Sequence, residues 1–236
     1  MKDRTRAILE IAVKDFIKKG KPITSEYLYG LYDFGIKPAM IRWELNDLSE
    51  KGFFYQYHPS GGRYPTDKAY RFLVDEILAV KEGEAMDTSN MESNFYAHGA
   101  KALATMMAND LQSLIVAYDA AANALYGSGL CELLAHLETT AKDEIMDVVN
   151  DFELLENRLT KRRAWWEEAS AWPKVFIGQS PVTTSEHLSV VAGRFEGDGK
   201  TILLLSIGPK RMDYEKSVSM FKGLATSKRK RKERID

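Results

Sequence analysis

Residues 36–75 read IKPAMIRWELNDLSEKGFFYQYHPSGGRYPTDKAYRFLVD, and this stretch decides the fold. Pro38 suits the first position of a helix, where its missing N–H is not needed. Ile36, just ahead of it, is placed to pack on Ile41 as a hydrophobic staple. Ile41, Leu45 and Leu48 recur at i, i+4 and i+7 and should face a core, leaving Arg42, Trp43, Asn46 and Asp47 outward. Gly52 stops the helix. Phe53-Phe54-Tyr55-Gln56-Tyr57 is an aromatic run of strand character, followed by the turn-rich loop His58-Pro59-Ser60-Gly61-Gly62-Arg63. Tyr64 opens a return strand, and Thr66 is placed to cap a helix carrying Tyr70, Val74 and Ile77.

Upstream, Leu9, Val13, Phe16 and Ile17 form one apolar stripe that ends at Gly20 and Pro22. A second short helix is expected from Ser25 as N-cap, with Leu28 and Leu31 inward and Gly35 closing it in a left-handed conformation. Three helices, then strand–loop–strand with an arginine at the tip, is the order of a winged helix-turn-helix.

Downstream the pattern changes. Residues 82–94 are polar and aperiodic, as in a linker, and residues 95–110 are helical. Leu114 to Tyr118 fits either a strand or a continuing helix. Residues 130–170 are helical and charged, while Val175–Ile177, Leu188–Phe195 and Thr201–Ile207 are β-like. Gly197-Asp198-Gly199 supplies a hairpin turn between the last two. A final helix from Tyr214 to about Leu224 leads into a basic run, Lys228 to Arg234, expected to lack regular structure. The expected organisation is α+β: a DNA-binding domain over 1–80, a linker over 81–94, a second domain over 95–226 and a tail over 227–236.

Composition narrows the function classes. The 236 residues are 44% hydrophobic and 28% charged, the usual globular range. No apolar run approaches the roughly 20 residues needed to cross a bilayer, and the N-terminus lacks the apolar core of a secretory signal, so a cytoplasmic protein is expected. One cysteine allows no internal disulfide, and four histidines are too scattered for a metal constellation, so no cofactor or metal is expected. The net charge of −1 is segregated into roughly +3 over residues 1–75, −8 over 76–227 and +4 over the last nine. A nucleic-acid binder needs positive charge only where it meets phosphate, so the overall charge neither excludes DNA nor supports it.

Two blocks carry a family resemblance. Lys37-Pro38-Ala39-Met40-Ile41-Arg42, with Glu44 and Asp47-Leu48, resembles the recognition helix of HrcA heat-inducible repressors, and Gln56 to Asp75 resembles their wing and the helix after it. Far downstream, Phe176-Ile177-Gly178-Gln179, Ser189-Val190-Val191 and Ile207 to Glu215 are similar to that family in the same order. The resemblance implies a winged helix-turn-helix followed by a reduced GAF-like α/β dimerisation domain. It also implies a homodimer on an inverted-repeat operator in double-stranded DNA upstream of chaperone genes, with the chaperonin GroEL as modulator. Met40 stands where the family usually has Thr, Trp43 where it has Asn, and Lys37 where it has a capping Ser. The stretch Lys161 to Trp166 has no family counterpart, and the chain is short, with the shortening expected around residues 110–130.

The resemblance and the helix-turn-helix reading together give the DNA-facing set. Lys37, Pro38, Ala39, Met40, Arg42, Trp43 and Asn46 come from the recognition helix. His58, Ser60, Gly61, Gly62, Arg63, Tyr64 and Lys68 come from the wing and the start of the next helix. Arg42 is the leading base reader, because arginine bonds guanine O6 and N7 bidentately; its alternative is an ion pair with Glu44 or Asp47. Asn46 suits adenine or the DNA backbone. Arg63 is expected in the minor groove or on a phosphate, against a solvated hairpin tip. Ser60 and Lys68 are phosphate contacts, and His58 either meets phosphate or holds the loop. Trp43 stacks on a sugar or packs on the wing.

Other features read as structural. Trp165, Trp166 and Trp172 suit a core or dimer contact, against a ligand-binding aromatic box. Asp143, Glu144, Asp147 and Asp151 look like one solvated helix face, and Cys131 looks packed. The basic tail either adds nonspecific phosphate affinity or is solvated. Two other function classes have requirements of their own. A GAF-like small-molecule sensor needs an apolar pocket. A hydrolase or transferase needs a nucleophile–base pair or metal cluster, and the sequence displays neither.

Overall fold

The computed structural model describes residues 1–58, 61–79, 85–137, 141–169, 171–197 and 199–232, with side chains as far as residue 225. The chain divides into two compact units, Met1–Ala79 and Val80–Asp236.

The first unit runs α1 (Asp3–Lys19), α2 (Ser25–Leu31), α3 (Pro38–Glu50), β1 (Phe54–Tyr55), β2 (Tyr64–Pro65) and α4 (Asp67–Ala79). Its core joins Ile8, Leu9, Ala12 and Val13 of α1 to Ile41, Leu45 and Leu48 of α3 and Leu73 and Val74 of α4, all buried. The expected α3 stripe is therefore the stripe that packs. Glu44, from the flank of that stripe, accepts hydrogen bonds from Arg4 at 2.8 Å and Thr5 at 2.7 Å, fastening α3 to α1. Burial pushes the Glu44 carboxyl up, but the bonds from Thr5 and Arg4 outweigh it and hold it below the usual carboxylate range.

Helix ends differ in detail from expectation. Gly20 closes α1 at φ 64°, as its sequence position implies. The cap of α2 is Thr24, whose side chain accepts from the Tyr27 N–H at 3.1 Å; Ser25 is instead a buried first-turn residue. That helix ends at Leu31, which is 51% exposed, with Tyr32 as C-cap, so Gly35 (φ 66°) serves the following turn. The Thr66 carbonyl accepts the first bonds of α4, from the Ala69 and Tyr70 N–H groups at 2.9 and 3.2 Å, but the Thr66 hydroxyl is used elsewhere. That hydroxyl donates to the Gly52 and Phe53 carbonyls and ties the ribbon to the end of α3.

In the second unit the helix α5 (Ser89–Leu111) starts well before residue 95 and kinks at Gly99, φ 81°. There follow β3 (Leu114–Asp119), β4 (Ala124–Ser128), α6 (Leu130–His136), α7 (Lys142–Glu153), α8 (Leu155–Lys161) and α9 (Ala164–Glu167). Then come β5 (Lys174–Ile177), β6 (Leu188–Gly197), β7 (Lys200–Pro209) and α10 (Tyr214–Lys232). The five strands form one antiparallel sheet in the order β4-β3-β7-β6-β5, with Gly197 paired to Lys200 at the β6–β7 hairpin. Asp198 of that turn lies outside the described residues.

Both sheet faces are covered. One face gathers Val116, Tyr118, Val190, Ala192, Leu203 and Leu205 with Leu133 of α6, Val148 of α7, Leu155 and Leu159 of α8, and Trp166 of α9. α10 lies over β6 and α5 over β3 and β4. Gly193 makes room there: a Cβ would stand 2.4 Å from the Phe221 ring. Coverage on two sides explains why Leu114–Tyr118 lacks alternation and could not be told from helix.

Three expectations differ from the structure. The backbone of α10 stays helical to Lys232, where residues 227–232 were expected to lack regular structure; residues 233–236 lie outside the described residues. Cys131 is exposed, because α6 buries Leu133, and two residues along a helix point to opposite sides. Asp151 is 2% exposed and leaves the solvated face assigned to it. The tryptophans follow the core reading, Trp166 buried in the core and Trp165 and Trp172 partly buried against it. No helix among the described residues is long and apolar enough to cross a membrane, and none of them group as metal ligands.

Candidate nucleic-acid interface

The candidate surface is built on α3. Lys37 takes the N-cap position without a side-chain cap bond, and its carbonyl accepts from the Met40 and Ile41 N–H groups at 2.9 and 3.2 Å. Because Ile41, Leu45 and Leu48 turn inward, Ala39, Met40, Arg42, Trp43 and Asn46 are left on the exposed side. Pro38 is half-buried at the helix start. Trp43 is 75% exposed, so the packing of its indole on the ribbon that the sequence allowed does not occur.

Arg42 and Asn46 stand one turn apart and differ in their engagement. The Arg42 guanidinium pairs with Glu26 of α2 at 3.2 Å, both side chains largely exposed. Neither Glu44 nor Asp47 is its partner. Glu44 belongs to Arg4 and Thr5, and Asp47 pairs with Lys51 at 2.5 Å. Asn46 uses its Oδ1 to accept from Arg63 Nη2.

Arg63 is drawn in from the loop. It is only 7% exposed, not a solvated tip. Its backbone N–H donates to the Ile23 carbonyl at 2.8 Å and its carbonyl accepts from the Ile23 N–H at 2.9 Å, an antiparallel bridge to the segment before α2. Its Nε donates to Ser49 Oγ at 3.2 Å. Gly62 makes this approach possible: a Cβ there would stand 2.5 Å from Pro22 Cβ. Among the described residues no carboxylate pairs with Arg63. Burial, reinforced by the charge on nearby Arg42, pulls its pKa below the ordinary arginine value.

The remaining ribbon residues have defined places. Gly61 donates its N–H to the His58 carbonyl at 2.8 Å and accepts from Gln56 Nε2 at 2.7 Å, closing the turn; His58 itself is exposed. Ser60 lies outside the described residues. Tyr64 is half-buried, stacked on Tyr55 at 5.5 Å and edge-on to Phe16 at 5.9 Å, with Tyr57 5.1 Å away. Lys68 reaches back, its ammonium 2.6 Å from the Lys51 carbonyl at the end of α3 and 4.6 Å above the Phe53 ring.

Between α2, α3 and the ribbon lies a polar cleft of about 440 Å³ lined by Thr24, Ser25, Glu26, Arg42, Asn46, Gln56, Gly61 and Arg63. Four of these, Thr24, Ser25, Glu26 and Gln56, are not in the DNA-facing set read from the sequence. Glu26 lies sixteen positions from Arg42, and no local periodicity links them.

Residues 67–218 match the family model described as the HrcA protein C terminal domain. The chain is 44% identical over 75 residues to the heat-inducible transcription repressor HrcA of Natranaerobius thermophilus, covering 32% of this chain and 22% of that protein. It is 45% identical over 76 residues to the protein of that name from Thermodesulfovibrio yellowstonii, again 32% and 22%. The match thus spans under a quarter of the length of these curated relatives. In fold, the chain is similar to the crystal structure of a hypothetical protein at 2.2 Å resolution. The TM-score is 0.71 at 15% identity, over 96% of this chain and 100% of the other.

Proposed function

The chain belongs to the HrcA family, and from that membership we propose that it is a DNA-binding repressor of heat-shock genes. In this reading the first unit is a winged helix-turn-helix, with α3 as recognition helix and the β1–β2 ribbon as wing. The second unit is a reduced GAF-like domain that joins two copies. Two α3 helices about a two-fold axis then meet the halves of an inverted-repeat operator. The chaperonin GroEL enters as the modulator that the family resemblance implies, and heating releases the operator.

The observation that carries the reading is the outer face of α3. Met40, Arg42, Trp43 and Asn46 stand exposed on a helix whose opposite side is locked into a core. A large exposed indole beside an arginine is costly to leave in water and suits a surface that meets another molecule. The 44% identity to a protein named as a heat-inducible transcription repressor favours DNA as that molecule.

The experiment is fluorescence anisotropy of the purified chain with the inverted-repeat operator and with a scrambled duplex at near-physiological salt. A clear preference for the operator is expected, lost on heating as the dimer dissociates. Failure of a folded dimer to bind either duplex refutes the reading.

A further inference from the structure

Arg63 is a nearly buried cation with no anionic partner among the described residues. Its partners are neutral, the Asn46 side-chain oxygen and the Ser49 hydroxyl. Its third nitrogen, Nη1, has no hydrogen-bond partner among the described residues. Buried charges are ordinarily paired, because desolvation without a countercharge is costly. Arg42 makes matters worse: it is a second cation, close enough to depress the Arg63 pKa. Both arginines line the cleft of about 440 Å³, which also presents Thr24, Ser25 and Asn46.

We propose that this cleft is a binding site for one phosphate group, held between the guanidinium groups of Arg63 and Arg42. The proposal deepens the repressor reading, on which the DNA source of that phosphate rests. Arginine suits the task, since its planar fork donates two parallel hydrogen bonds to phosphate oxygens. Asn46, its Oδ1 held by Arg63, keeps its amide N–H groups as donors toward the same anion. Glu26 is the competitor: its carboxylate occupies Arg42 at 3.2 Å, and an arriving phosphate displaces it. Arg42 is thereby assigned to phosphate and not to a base edge. The phosphate comes either from the DNA backbone or from a free phosphate-bearing molecule, because the two present the same chemistry.

The test is a ¹⁵N NMR titration of the arginine Nε–H signals of the full chain at constant ionic strength. Inorganic phosphate is one probe, the operator duplex another, and chloride the control. A saturable shift of the Arg63 signal with phosphate or duplex, absent with chloride, is the expected result. Arg42→Gln, at an exposed position, should raise the phosphate midpoint several-fold while the spectrum stays folded. A shift with duplex alone makes the DNA backbone the source; a shift with phosphate alone makes it a free molecule. An Arg63 signal unmoved by both overturns the proposal. Duplex binding by anisotropy with Arg63 unmoved by either probe leaves the repressor reading standing and removes the cleft. Phosphate binding without duplex binding does the reverse.

Discussion

The carboxylate of Asp151, on α7, accepts a hydrogen bond from the Ser185 N–H at 2.8 Å, joining two segments 34 residues apart. The Thr184 N–H and hydroxyl add bonds at 2.8 Å each, and Arg158 supplies a charged donor at 2.5 Å. One buried side chain therefore organises the turn before β6 and the start of α8. Burial raises its pKa, but bonds from Ser185, Arg158 and Thr184 outweigh it and leave the carboxyl below the usual range.

Asp151→Asn should destabilise the second unit by about 3 kcal/mol, since it leaves Arg158 partly buried without its anion. Urea unfolding followed by tryptophan fluorescence reads this directly, because Trp166 sits in the same core. The sign of the pH effect follows from the lowered folded-state value. Stability from Asp151 is complete above the unfolded carboxylate pKa of about 3.9 and is lost as pH falls from there through the folded value. The variant should lack that acid-side loss; an unchanged acid limb would remove Asp151 from this role.

Arg42→Ala should weaken operator and scrambled duplex alike by about 1 kcal/mol and lower the salt slope by about one. Anisotropy titrations at several salt concentrations check both numbers. A loss confined to the operator would return Arg42 to base reading.

Glu26→Gln frees Arg42 from its exposed ion pair and removes a negative charge beside the cleft. Duplex binding should tighten by up to about 1 kcal/mol at low salt, with the gain fading as salt rises. Weaker binding by the variant would show that Glu26 positions Arg42 and does not compete for it.

Gly62→Ala should destabilise the first unit by about 1–3 kcal/mol, because a Cβ 2.5 Å from Pro22 forces the ribbon away from the Ile23 bridge. Thermal unfolding measures the loss. Trp43→Ala is the contrasting case: at 75% exposure it should change stability by less than about 0.5 kcal/mol. If duplex binding by Trp43→Ala is also unchanged, the outer face of α3 is not the contact surface.

By itself the sequence determined the helices of the first unit, the inward stripe of α3 and the run of strands after Val175. These are local: side chains at i, i+4 and i+7 share a helix face whatever lies beyond, and Gly20 must close a helix where it stands. Only the tertiary structure decided where the charges went. Arg63 is withdrawn from its loop because Gly62 lets the ribbon reach Ile23, a pairing across forty residues that no local pattern encodes. Glu26 meets Arg42, and Asp151 leaves its acidic helix face for Ser185, for the same reason. A charged side chain is long and its partner is set by packing of distant segments, so its role appears only once those segments have met.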